Sequence, residues 1–300
     1  MTEPPRISAA VQDVLARLER PIRAWSLIVT IFGDVVVPRG GSLWLGTLLP
    51  IMNAAGIAAG VVRTATSRLV DDGWLERDKA GRNSFYRLSA NARDESERAA
   101  ARIYAADDVH AAADWTLAIT QAPSIVDRAR QRDGLLKRGA GQLATDVFIL
   151  PLQVPAPITG DAAAIMLRVS PRDAADARAL ARQAWPLDDI AAAYARYNAI
   201  FAPTAGSLAA ATGLSDLDAL VLRLLVVHEL RRIALRDPGL PRACLGPDWP
   251  GVPARQVAAT IWHATLAPSE RWLDRHGRTL AGELPKPSLN LRDRFIAAPA

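Results

Sequence analysis

From Gly40 to Val62 the chain carries no charged residue, and Arg39 and Arg63 stand at the two ends of this run. A stretch of this kind either crosses a membrane or lies in a protein core, because about twenty predominantly apolar residues span a bilayer. Its internal residues decide between the two. Pro50, Asn53, Gly56 and Gly60 interrupt the run, and Ser42 and Thr47 add polar groups. Such breakers divide it into one helix, a turn and the start of another helix, which excludes a span. The spacing predicts a helix capped by Ser42 and running through LWLGTLLPIM, a turn at Asn53 to Gly56, and a helix from Ala58 to Asp72 closed by Gly73.

The flanks complete a recognisable order. Residues Ile7 to Arg20 place Val11, Val14, Leu15 and Leu18 on one helical side before Pro21 breaks the pattern. An apolar helix follows from Ile22 to Phe32, with Gly33 as its stop and GDVVVPRGG as a loop. Beyond Gly73, WLERD and SFYRLS read as two strands joined by KAGRN, where Gly81 and Asn83 tolerate positive φ and predict a hairpin. Helix, helix, turn, helix and hairpin is the order of a winged helix-turn-helix. The polar segment from Asp94 to Tyr104 predicts a helix leading out of it.

In such a module the second helix of the pair enters the major groove and the hairpin meets the backbone. Val62, Ala65 and Leu69 form the inward stripe, so Arg63, Thr64, Ser67 and Arg68 face outward and offer guanidinium forks and hydroxyls to bases or phosphates. The hairpin adds Arg77, Lys79, Arg82 and Arg87 against Glu76 and Asp78. Cations at a hairpin tip neutralise phosphates and release counterions. Arg39, Arg63, Thr64, Ser67, Arg68, Lys79, Arg82 and Ser84 are therefore the candidate DNA contacts. The formal net charge of +5 agrees in sign with an anionic partner.

Downstream, strands and helices alternate from Trp115: WTLAIT, a helix over SIVDRARQRDGLLKRG, strands DVFILPL and AAAIMLRVS, and a helix over PRDAADARALARQA. This predicts a small ferredoxin-like α/β domain. From Trp185 onward the pattern is helical. The fold class expected is multidomain α+β: a winged helix-turn-helix over 1–106, a ferredoxin-like domain over 107–183 and an α-helical domain over 184–300.

Enzyme chemistry finds little support. The histidines, His110, His228, His263 and His276, lack metal-ligand spacing, and no Walker loop, dinucleotide fingerprint or nucleophile elbow occurs. Cys244 is the single cysteine, so no disulfide can form within the chain and no cysteine-based metal site is expected. The N-terminus has no apolar signal core, and a cytoplasmic protein is expected. No metal and no cofactor are expected.

The runs TIFGDVVVPRGGSLWLGTLL, VVRTATSRLVDDGWLERDKAGRNSFYRLS and ERAAARIY, with DWTLAI, AWPLDDIAAAYARYNAIFAP, HELRR, LRDPGLP and DWPG further on, resemble the PaaX family, repressors of phenylacetate degradation. The resemblance spans roughly Arg20 to Trp272. It implies a winged helix, a Cas2-like ferredoxin domain and a helical C-terminal domain, and a repressor released from DNA by an aryl-acyl-CoA such as phenylacetyl-CoA. A Cas2-like nuclease remains the enzyme alternative, but the strand WTLAIT runs into TQAPS where a catalytic carboxylate belongs, and Asp114 lies at its other end. A regulator without a small-molecule effector is the other alternative.

A coenzyme A thioester needs cations for its phosphates and an apolar slot for its acyl group. His228, Arg231 and Arg232 share one helical face, and Arg223, Arg236 and Trp249 are near in sequence. Arg223, His228, Arg231, Arg232 and Trp249 are thus the candidate effector residues. The competing reading is structural: cations capping a helix C-terminus and pairing with Glu229, Asp237 or Asp248. Helix-turn-helix regulators read paired half-sites, so a homodimer is the expected assembly.

Overall fold

The computed structural model describes residues 7–18, 20–105, 115–121, 124–151, 164–208 and 214–296. The chain divides into two compact units, and the division is not the linear one that sequence spacing predicts. The first unit joins Met1–Ala106 to Arg196–Arg232 and Pro253–Ala300; the second joins Asp107–Ala195 to Ile233–Val252. The C-terminal helical region is divided between these two units. Within it, the boundaries between the units fall inside long helices.

The first unit begins with α1 (Ala9–Arg17), whose Val11 and Val14 are fully buried. In α2 (Ala24–Ile31) every residue except Trp25 is buried, which is the signature of a helix inside a core. Gly33 does not end it. The backbone widens into a π-type turn over Phe32–Val36, tightens to a 3-10 turn over Val37–Arg39, and stops at left-handed Gly40 and Gly41. Gly33 is needed for space, since a Cβ there would lie 2.9 Å from Ser96 Oγ. Asp34 is thereby carried into the core.

Ser42 is not a helix cap. It opens β1 (Ser42–Trp44), which pairs with β3, and α3 (Leu45–Ala54) starts from extended Trp44. A three-residue strand shows too little alternation to be read from sequence. Then follow α4 (Ala59–Asp71), β2 (Leu75–Ala80) and β3 (Asn83–Leu88), giving an antiparallel sheet of order β1-β3-β2. Next comes α5 (Ala90–Ile103), begun by Ser89, whose hydroxyl accepts from Ala92 N.

The second unit holds β4 (Trp115–Thr120), α6 (Ile125–Lys137), β5 (Gly141–Ala144), β6 (Val147–Pro151), β7 (Ala164–Val169) and α7 (Ala174–Ala184). The antiparallel sheet has order β5-β6-β4-β7, and Ala118, Leu135, Ala140, Phe148 and Leu150 form its core, with Met166 packed against them. Strand β5 has no counterpart in the sequence expectation. It runs beside Trp185, leaving no room for a Cβ at Gly141, so a glycine-led tetrapeptide replaces an alternating pattern. Residues 152–163, between β6 and β7, lie outside the described residues, as does Asp114.

The remaining elements are α8 (Leu187–Leu208), α9 (Asp216–Ala234), α10 (Arg242–Leu245), α11 (Gly251–His276), the short hairpin β8 (Arg278–Thr279) and β9 (Gly282–Glu283), and a 3-10 turn at Leu289–Asp293. Every residue from Leu220 to Val227 is buried, so α9 is surrounded on all sides over these two turns. Among the described residues no helix is long and apolar enough to cross a membrane.

Candidate nucleic-acid interface

Helices α3 and α4 are joined by a tight turn. Gly56 N donates to Asn53 O at 2.9 Å and Ile57 N to Met52 O at 2.9 Å, with Gly56 at φ 80, a conformation that glycine adopts without strain. Ala58 is extended, and α4 starts from it. Val62, Ala65, Thr66 and Leu69 are buried on one side of α4. The Thr66 hydroxyl donates to Arg63 O at 2.9 Å, which accounts for a polar residue on the inner face.

The opposite side of α4 exposes Gly60, Val61, Arg63, Thr64, Ser67 and Arg68. After Gly73 (φ 73), the chain turns into β2, and β2 pairs with β3 from Leu75↔Leu88 to Ala80↔Asn83. Gly81 takes positive φ at the first tip position, as a two-residue hairpin turn requires, and Arg82 is the second. Lys79 and Arg82 are exposed, and Ser84 is half-buried opposite Lys79.

The hairpin sorts its own charges. Arg87 holds Glu76 at 2.8 Å and also pairs with Asp78. Both acidic groups of the hairpin are thus engaged by one guanidinium on its surface. Arg77, Lys79 and Arg82 remain exposed, as do Arg63 and Arg68 on α4, and among the described residues none of the five lies within ion-pair distance of a carboxylate. The result is a net cationic strip along one helix face and one hairpin.

Arg39 does not join that strip. It is 1% exposed, with Nε 2.9 Å from Glu270 Oε2, Nη1 3.0 Å from Asp274 Oδ1, and Nη1 donating to Pro285 O at 3.0 Å. A guanidinium so enclosed cannot reach a phosphate without leaving two carboxylates behind. Its assignment as a DNA contact is corrected to a structural one.

Of the candidate effector residues, Arg223 and His228 are enclosed in the core. Arg223 is fully buried, its Nε 2.7 Å from Asp34 Oδ2, its Nη1 2.8 Å from Glu270 Oε1 and its guanidinium 5.0 Å from the centre of the Trp262 ring. Asp34 in turn accepts from Arg294 Nη1 at 2.7 Å, Tyr104 OH at 2.5 Å and Trp262 Nε1 at 3.3 Å. Burial alone would raise the Asp34 carboxyl, but the Arg223 and Arg294 guanidiniums hold it below the usual carboxylate range. Burial and the adjacent Asp34 push the Tyr104 phenol well above its ordinary value.

His228 is 2% exposed and packs against α2, its Nδ1 3.0 Å from Thr30 Oγ1. The Thr30 hydroxyl donates its proton to Ser26 O, so it accepts the Nδ1 proton of a neutral His228. Burial, and then Arg231 and Arg232, lower this histidine to about 3. Arg232 is exposed and pairs with Glu229 at 3.0 Å, while burial lowers half-buried Arg231 against the opposing effect of Glu95. Trp249 belongs to the second unit, with its ring 6.1 Å from that of Tyr194, whose hydroxyl donates to Asp237 at 2.7 Å. For Arg223 and His228 the structural reading replaces the ligand reading, because both are enclosed by partners in the core.

The Asp34 cluster was not anticipated. Its signal was present: Asp34 is the only charged residue from Ala24 to Pro38, and a carboxylate inside an apolar run must find buried cations. Among the described residues no three His, Cys, Asp or Glu side chains converge as a metal site.

Comparison with known proteins agrees with this architecture. A family model described as PaaX-like protein matches residues 23–92, and one described as PaaX-like protein C-terminal domain matches residues 185–275. The transcriptional repressor PaaX of Escherichia coli (strain K12) is 32% identical over 289 residues, covering 92% of this chain and 90% of that protein. The solved structure of uncharacterized protein Rv0674 from Mycobacterium tuberculosis is similar in fold, with a TM-score of 0.54 at 24% identity, over 83% of this chain and 98% of the other. On the two family models and the relative that matches most of its length, the chain belongs to the PaaX family.

Proposed function

We propose that this chain is a DNA-binding transcriptional repressor, not an enzyme, which reads duplex DNA through a winged helix-turn-helix formed by α3, α4 and the β2–β3 hairpin. The observation that carries this reading is the cationic strip, Arg63 and Arg68 on α4 with Arg77, Lys79 and Arg82 on the hairpin, exposed together on one helix and the adjoining hairpin, whereas Arg39 and Arg223 are buried and paired. The kinship with a protein named as a transcriptional repressor supports it. In this reading α4 lies in the major groove, Arg63, Thr64, Ser67 and Arg68 meet base edges or phosphates, and Lys79, Arg82 and Ser84 meet the backbone. Two copies bind paired half-sites.

The signal that releases the protein is an aryl- or acyl-CoA thioester such as phenylacetyl-CoA, and the genes controlled belong to a catabolic operon for such compounds. Of the cations first considered, Arg231 and Arg232 are the ones still placed at the surface or its edge for such an anion. A gel-shift titration tests both halves of the proposal. The full chain should retard a duplex recovered from the DNA flanking its own gene, and one thioester from an acyl-CoA panel should release it where free CoA does not. Release by none of the panel would remove the effector, and failure to retard any duplex would remove the DNA reading itself.

A further inference from the structure

Two residues in the first turn of α4 bring the fold no benefit. Gly60 is exposed, and a Cβ built on it would meet nothing within 4 Å, so the fold does not require a glycine that costs a helix about 0.5–1 kcal/mol relative to alanine. Val61 beside it is 54% exposed, a β-branched residue on the outer face of a helix that it neither packs nor favours. A single exposed valine is ordinary on a protein surface. This one has a neighbour that extends it.

Thr64 follows Val61 by three residues and shares its helical face. Its hydroxyl donates to Gly60 O at 3.1 Å, so the hydroxyl proton is committed to the helix backbone, and what Thr64 offers outward is an acceptor oxygen and its methyl. Beside that acceptor, the exposed Val61 side chain and the Thr64 methyl form a short aliphatic patch. Arg68 continues the same stripe, and Arg63 and Ser67 run along its side, all exposed. An apolar patch with cations around it and a glycine beside it, where a second surface can come close, has one counterpart among base edges. The major-groove edge of thymine presents a C5-methyl next to the O4 acceptor.

We propose that Val61, with the Thr64 methyl, is a specificity-determining contact for the C5-methyl of a thymine in the bound site. This rests on the DNA-reading proposal above and adds a named base and a named group. The contact is one of van der Waals packing and desolvation, so removing the thymine methyl removes it without touching any hydrogen bond.

The test uses duplexes recovered by the full chain from a random-sequence library, with each thymine replaced singly by deoxyuridine, which lacks only that methyl. For the native chain, one thymine per half-site should weaken binding about three- to fivefold on replacement, the effect of one methyl-sized group. With Val61→Ala the thymine and deoxyuridine duplexes should bind alike at that position, and Thr64→Ser should narrow the gap. Native binding that is indifferent to every replacement, an enriched site with no thymine, or a Val61→Ala protein that keeps the full difference overturns the contact. A library that yields no enriched sequence overturns the DNA-reading proposal itself, a separate outcome.

Discussion

Arginines on α4 and the hairpin and arginines around Asp34 are the same side chain put to opposite uses. Arg63, Arg68 and Arg82 stand in solvent with no carboxylate in reach among the described residues, whereas Arg39 and Arg223 are 1% and 0% exposed and held by Glu270, Asp274 and Asp34. The first group keeps its charge available to an outside anion. The second spends its charge inside, bridging α9 and α11 to the turn that leads into β1 and α3. Residue type and net charge cannot separate the two groups; the position of carboxylates in space does.

The comparison breaks most visibly at Asp34. Asp34→Ala leaves Arg223 and the partly buried Arg294 facing an emptied core, and should cost about 3–5 kcal/mol of stability by urea denaturation. Its depressed carboxyl also contributes stability that is present above the unfolded value near 3.9 and is lost as the pH falls through the folded value. Arg39→Gln should lower the denaturation midpoint in the same sense while leaving the salt dependence of DNA binding intact. A change in that salt dependence would return Arg39 to the interface.

His228 sharpens the comparison at milder pH. Its folded value is about 3 against roughly 6.5 unfolded, so the neutral folded form is disfavoured only as the unfolded chain takes up a proton. Its contribution is full above pH 6.5 and is lost by about 1.4 kcal/mol per pH unit below that, down to the folded value. Denaturation at pH 7 and pH 5 should show about 2 kcal/mol of this loss in the native chain and its absence in His228→Gln. Equal pH slopes would mean that His228 is not held neutral.

The smallest effect belongs to Arg87, an exposed partner of Glu76 and Asp78. Arg87→Gln should change stability by less than about 1 kcal/mol, as surface ion pairs do. It should nonetheless weaken DNA binding, because the hairpin loses one positive charge and Glu76 and Asp78 lose their shared partner. Unchanged affinity at low salt would show that the hairpin lies away from the backbone.

Helices with a clear stripe or an apolar run were legible in the sequence: α4 with Val62, Ala65 and Leu69, and the hairpin with Gly81 at its tip. The misses share a cause. Gly33 reads as a helix stop, yet it is an approach point for α5, and Ser42 reads as a cap, yet it is the edge of a strand. Each depends on a partner far along the chain. The same holds for Arg39, Arg223 and His228, whose partners Glu270, Asp34 and Thr30 are 231, 189 and 198 residues away. Local pattern placed the exposed face of α4 because exposure there follows from helical period alone.

The central claim is that the unpaired strip binds duplex DNA. Its most direct measurement is fluorescence anisotropy of a labelled, library-selected duplex against salt, for the native chain and for the combined variant Arg63→Gln, Arg68→Gln, Arg82→Gln. The account predicts weaker binding and a slope of log affinity on log salt that is shallower by about one for each lost phosphate contact, at an unchanged denaturation midpoint. Equal affinity and equal slope in the two proteins would contradict it.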